Sequence, residues 1–187
     1  MTNTPKPLDE RRFRDTIGLF ATGVAVVVSG LGEEVLAMTV NAVSAVSLDP
    51  MLVLFCPGKK TRFGLRIAEL SGFTINILRH EQQALSSYFA GSWKDPTPPP
   101  FRMVPSRSAP RLEGALACID CETATVTDVG DHWVVIGRVR ELHQGVHPHH
   151  PLVFFHGKYR GVDFSESQPA PDITGVHEQQ AHIFHDW

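Results

Sequence analysis

Two rhythms of apolar and polar positions alternate along the chain. In DERRFRDTIGLFATG, residues 9–23, Phe13, Ile17 and Phe20 recur at helical spacing and Gly23 supplies a stop, which predicts an amphipathic helix. The segments VAVVVSG, VLAMTVNAVSAVSL, MLVLFC, FTINIL, GALACIDCETATV, HWVVIGRVREL and PLVFFHGKY are instead rich in β-branched and aromatic residues. Each is bounded by Gly, Pro or Asp, and each predicts a strand. Between them, RFGLRIAEL spaces Phe63, Ile67 and Leu70 as a helix does, and EQQALSSYFAG does the same with Leu85 and Phe89.

Strand runs with so few helices predict a mainly β protein, an antiparallel barrel with peripheral helices. A doubly wound fold would need regular alternation of strand and helix. Neither GxGxxG nor GxxxxGK[ST] occurs, so a nucleotide would have to be held by other means. The Pro-rich, polar stretch WKDPTPPPFRMVPSRSAP predicts an ordered loop over the surface. The resulting division is an extension over 1–8, one domain over 9–164 and a tail over 165–187.

Composition narrows the class without naming a function. The 187 residues, 42% of them apolar, suffice for one full hydrophobic core. A net charge of −3 gives no general electrostatic reason to bind nucleic acid or an anionic membrane. No signal-peptide core opens the chain, and no run approaches the roughly 20 apolar residues of a membrane span, so a cytoplasmic protein is expected. Cys56, Cys118 and Cys121 are too few for a disulfide framework and are expected reduced. Cys118 and Cys121 stand three apart on a predicted strand, hence on opposite faces, which argues against chelation or pairing.

Candidate chemistry gathers in two places. AMTVNAVSAVSLDP, residues 37–50, sets Thr39, Asn41, Ser44 and Ser47 among small apolar residues. On strict alternation, Thr39, Asn41, Val43, Ala45 and Ser47 share one face. Such a strand is either a barrel wall whose hydroxyls bond neighbouring backbone, or a ligand wall that a flat polar ring can approach. The following LVLFCPGKKTRFG turns through Pro57 and Gly58 and presents Lys59, Lys60, Thr61 and Arg62 ahead of a helix, an anion site in outline. The two segments together suggest a ring site beside a phosphate site. HQGVHPHHP offers His143, His147, His149 and His150, and the tail adds His177, His182 and His185. A metal-binding module is therefore a competing reading, although the Pro-broken run lacks nearby cysteines or a carboxylate cluster and reads better as a surface loop.

Taken in order, FRDTIGLFATGVAVVVS, MTVNAVSAVSLDPMLVLFCPGKKTR, FTINIL, YFAG, GALACIDCE, GDHWVVIGRV and PLVFFHGKYRGV resemble the flavin reductase family, from about Phe13 to Val162. The resemblance is closest to reductase components of two-component flavin monooxygenases. It implies the FMN-binding split-barrel fold and hydride transfer from NADH or NADPH to FMN or FAD. It further implies a homodimer and a separate flavin-dependent monooxygenase that receives the reduced flavin. It places Thr39, Asn41, Ser44, Ala45, Val46 and Ser47 along the ring and ribityl chain, and Lys59, Thr61 and Arg62 at the phosphate. Lys60 and Phe63 depart from the serine and threonine pattern common around that turn. Gly130-Asp131-His132 matches a motif whose histidine lies on the nicotinamide side, so His132 is the candidate catalytic residue; Phe155, His156 and Tyr159 match a late strand near the ring. A non-reductase flavin protein or a pyridoxal-phosphate-oxidising relative on the same barrel is the remaining alternative.

Overall fold

A computed structural model describes residues 8–31, 34–145 and 150–162. Helix α1 (Glu10–Ile17) is capped by Asp9, whose carboxylate accepts from the Arg12 amide at 2.7 Å. It ends earlier than its apolar spacing predicts, because the chain at Thr22–Gly23 is taken up as strand β1. Strands β2 (Ala25–Leu31) and β3 (Glu34–Val40) pair antiparallel, as do β4 (Val43–Leu48) and β5 (Met51–Phe55). Helix α2 (Arg62–Leu65), a 3₁₀ turn at Ile67–Glu69 and β6 (Gly72–Ile77) follow. The single helix expected over RFGLRIAEL is thus two short pieces, broken at Arg66, whose backbone has left the helical region at φ −110° and ψ 19°.

Helix α3 (Gln83–Phe89) leads into the Pro-rich loop, which carries a short pair, β7 (Met103–Val104) and β8 (Arg111–Leu112). The 13-residue strands β9 (Ala117–Val129) and β10 (His132–Gln144) then form the longest hairpin. The strand expected over PLVFFHGKY is a tight hairpin instead, β11 (Val153–Phe155) and β12 (Lys158–Arg160). His156 and Gly157 turn it with φ of 49° and 73°, and only the second of these is favourable for its residue type.

The main sheet runs β3-β2-β6-β9-β10-β5-β4, and β1, β11 and β12 form a second small sheet. Its two edge strands, β3 and β4, are consecutive in sequence. The chain therefore leaves one edge and re-enters at the other through Asn41 and Ala42, which curls the sheet into a barrel with an open seam. This corrects the single strand expected over 35–48. Strict alternation fails there for two reasons: the corner at Asn41–Ala42, and a bulge between Ala45 and Ser47.

The core is assembled from both faces of β2. Val27 joins Phe55, Phe63, Phe73, Ile75 and Val135 on one side; Val24, Val26 and Val28 join Leu78, Leu112 and Leu152 on the other. Phe55 packs edge-on against Phe73 with ring centroids 4.8 Å apart. Buried Asn76 is satisfied: it donates to Val26 O at 3.0 Å and accepts from the Leu112 amide at 2.8 Å. Cys118 and Cys121 are buried and free, and only Cys121 belongs to the Phe55 cluster. Burial, with the Asp120 charge behind it, pushes both thiols up to about 12, so neither is a ready nucleophile or metal ligand. Among the described residues no helix is long and apolar enough to cross a membrane.

Candidate active site

Two clusters occupy the end of the barrel where β5 finishes and β10 begins. The first is a cavity of about 1000 Å³ between α1, the Asn41–Ala42 corner and the β11–β12 turn. Its lining is largely apolar, with Ile17, Val43, Leu54 and Phe154 among the walls and Arg14, Asp15, Thr22, Asn41, Ser44 and His156 as polar groups. A flat heteroaromatic ring needs this combination of apolar walls and a few amide, hydroxyl and cationic groups. His156 is held by its own backbone, whose N–H donates to Gly18 O at 2.8 Å and so ties the hairpin to the end of α1.

Asn41, Ser44 and His156 are the predicted contacts that this cavity gathers. The others stand elsewhere. Thr39 Oγ1 donates to Ser86 O at 2.7 Å and fastens β3 to α3; Tyr159 bonds the Ser86 hydroxyl at 2.9 Å and packs on Phe154. Ala45 and Val46 are exposed on β4, Ser47 is half-buried opposite Leu52, and Phe155 lies at the surface. Sequence reading passed over Arg14, Ile17, Leu54 and Phe154. The helical stripe of α1 was visible, but nothing in its spacing says that it roofs a cavity.

The second cluster is the Pro57–Arg62 turn joined to the tip of the β9–β10 hairpin. Gly58 bridges His132, the Lys59 amide donates to Asp131 O at 3.0 Å, and the Trp133 amide donates to Pro57 O at 2.9 Å. Lys59 Nζ donates to Gly130 O at 2.7 Å, pairs with the Asp128 carboxylate and lies 5.1 Å over the Trp133 ring. Trp133 Nε1 in turn donates to Gly64 O at 3.1 Å. Thr61 caps α2: its hydroxyl accepts from the Gly64 amide at 3.0 Å and donates to Gly58 O at 2.7 Å. Arg62 pairs with Glu34, which Arg66 also holds. Chiefly the Arg66 hydrogen bond, and then Arg62, keeps the Glu34 carboxyl below its ordinary range.

His132 Nδ1 is 2.7 Å from Asp131 Oδ1, and this contact holds the Asp131 carboxyl below its ordinary range. The Arg14 charge adds the smallest part of that depression, a through-space effect between the two clusters. The sheet register joins the two clusters as well, because Phe55 pairs with both Val43 of the cavity and Val135 of β10.

The model of the flavin reductase like domain matches residues 17–163, nearly the whole of the barrel. The chain belongs to this flavin reductase-like family. It is 36% identical over 164 residues to the reductase subunit HsaB of a flavin-dependent monooxygenase from Rhodococcus jostii (strain RHA1), covering 88% of this chain and 84% of that one. To an NADH-dependent flavin reductase from Rhodococcus sp it is 36% identical over 170 residues, covering 87% and 94%. Among solved structures, flavin reductase PheA2 superposes with a TM-score of 0.77 at 36% identity, over 83% of this chain and 99% of that one. The NADH:FAD oxidoreductase SgcE6 of Streptomyces globisporus C-1027, in complex with NAD and FAD fragments, does so at 0.74 and 30% identity, over 91% and 99%. The family's split-barrel fold is the fold of this chain.

The metal-binding alternative rests mostly on residues outside those described: His147, His149, His177, His182 and His185. Of the rest, His143 Nε2 lies 3.2 Å from Ser106 Oγ and 3.5 Å from Glu141 Oε1. Among the described residues no three His, Cys, Asp or Glu side chains are grouped to hold an ion.

Proposed function

We propose that this protein is an NADH-dependent flavin reductase that passes hydride to FMN or FAD and releases the reduced flavin to a separate monooxygenase component. The observation that carries this reading is the apolar cavity of about 1000 Å³, with Asn41, Ser44 and His156 among its polar groups, at the end of the barrel where the His132 hairpin also begins. A bound flavin supplies the hydride acceptor, so the protein needs no nucleophile of its own. Asn41 and Ser44 would meet the polar edge of the ring, whereas Thr39 is engaged by Ser86 O and Ala45, Val46 and Ser47 stand outside the cavity. His132, its Nδ1 already engaged by Asp131, is left with Nε2 to orient the nicotinamide amide. The domain that does this spans 9–164, with 1–8 and 165–187 flanking it.

Arg62 is the cation best suited to the flavin phosphate. Its side chain is 74% exposed, and Glu34 would keep Arg66 as a partner if Arg62 turned to a ligand. Replacing Arg62 with Ala therefore raises the flavin dissociation constant about tenfold, the value of a charge-assisted hydrogen bond, without unfolding the protein. Fluorescence titration of FMN and FAD measures it. The function itself is tested by adding NADH to the purified protein with FMN or FAD: nicotinamide absorbance falls at a rate that depends on both protein and flavin. No flavin-dependent oxidation with either flavin overturns the reading.

A homodimer fits the same site. On α1 and the segment after it, Phe13, Ile17, Leu19 and Phe20 remain 55–71% exposed, and Leu48 and Met51 at the β4–β5 turn remain 62% and 52% exposed. Side chains of this size left in water are what a second barrel would cover. Light scattering at micromolar concentration is expected to give twice the chain mass.

A further inference from the structure

We infer that Lys59 is a positioning residue for His132, fixing the hairpin tip on which the imidazole stands, and that it contributes nothing directly to flavin binding. The inference rests on His132 acting in the proposed reaction.

The geometry around Asp131 carries it. Gly130 sits in the left-handed region at φ 58°, where the hairpin reverses. Its carbonyl receives the Lys59 ammonium at 2.7 Å, and the carbonyl of the next peptide, at Asp131, receives the Lys59 amide at 3.0 Å. One residue thus holds both peptides that flank Asp131, immediately before His132. On the far side of His132, the Trp133 amide is held by Pro57 O at 2.9 Å. The imidazole therefore projects from a backbone gripped on both sides by the 57–59 segment.

The ammonium group has little left to offer an incoming phosphate. Asp128 offsets its charge, Gly130 O takes a second donor, and the Trp133 ring lies against it; the side chain is 28% exposed, against 74% for Arg62. A phosphate binding there would have to displace a carboxylate and free the hairpin tip in the same event. An isolated exposed ion pair would fix little, but here ammonium, amide and aromatic contacts all close on one turn.

Lys59→Met keeps the stem over Trp133 and removes the charge and its donors. With saturating flavin, kcat for NADH oxidation is expected to fall about tenfold, while the flavin dissociation constant stays within twofold of wild type. Lys59→Arg is expected to restore most of the rate. Asp128→Asn, at a 65% exposed position, is expected to lower kcat about threefold with flavin affinity unchanged, and it carries the test should Lys59→Met fold poorly. In a His132→Ala background, Lys59→Met costs no further rate, because there is no imidazole left to misplace. Three results overturn the inference: a tenfold loss of flavin affinity with kcat intact, unchanged kcat in both Lys59→Met and Asp128→Asn, or full additivity with His132→Ala. Wild-type kcat in His132→Ala alone instead overturns the role given to His132, so the two failures are told apart.

Discussion

His132→Ala is expected to lower the rate of NADH oxidation about 100-fold at saturating flavin, with flavin affinity and melting temperature close to wild type. The size follows from the loss of one orienting contact at a reacting centre, where an error of about 1 Å costs that much. The selectivity follows from the position. The His132 side chain is 49% exposed and touches the fold mainly through Asp131 and the edge of Gly58, so its removal leaves the core and the Arg62 region intact. Substitutions at such exposed places change stability by about 0.5 kcal/mol or less. Stopped-flow reduction of bound flavin, run beside a flavin titration and a thermal melt, separates the outcomes. If rate, affinity and melting temperature fall together, the histidine is a barrel corner; if none changes, it has no part in the reaction.

Gly64→Ala is expected to have the largest effect on the fold. A Cβ at this position would stand 2.2 Å from Gly58 O and 3.0 Å from Lys59 Cα, and these are backbone atoms with no rotamer to yield. Helix α2 can lie against the Pro57–Gly58 turn only because residue 64 has no side chain. Relieving the clash pushes α2 away and loosens the Thr61 cap and the Trp133 Nε1 bond to Gly64 O. Overpacking of this kind costs about 3 kcal/mol, which for a chain of this size is roughly 6–12 °C in melting temperature. Flavin affinity falls with it, since Arg62 stands at the first position of the displaced helix. Gly23→Ala, where an added Cβ meets nothing within 4 Å, changes melting temperature little and serves as the stability control. A Gly64→Ala protein that melts like wild type would show that the approach of α2 to the turn is not required.

The strands were legible because their side chains are β-branched and their ends are marked. β2, β5, β6, β9 and β10 fall where VAVVVSG, MLVLFC, FTINIL, ALACIDCETATV and HWVVIGRVREL announce them. The corner at Asn41–Ala42 was not legible. Nothing in VNAV breaks a strand, and only closure of the sheet on itself requires a bend there. Likewise the turn at His156 uses a histidine in a conformation that a sequence reader assigns to Gly or Asn. At the site, Asn41, Ser44 and His156 do line the cavity, and the Pro57–Arg62 turn was recognised as one cluster. The partners of its cations were out of reach of any local pattern: Lys59 meets Asp128 across 69 residues, and Arg62 meets Glu34 across 28. A basic turn looks open to an anion until the fold brings carboxylates to it.

The long β9–β10 hairpin also has a mechanical consequence. Its last rung with β5 is at Val135, and His132 stands three residues further out. At about 3.3 Å per residue the imidazole therefore rides on a cantilever of roughly 10 Å. A tilt of about 10° at the root would swing its end by roughly 2 Å, more than hydride transfer tolerates. A bare jib of that length would drift with every thermal fluctuation of the sheet. Lys59 and the Pro57 carbonyl act as stays fixed near its end, where a small restoring force has the greatest leverage. Stiffness is thus supplied at the tip as well as at the root, by the segment that continues β5.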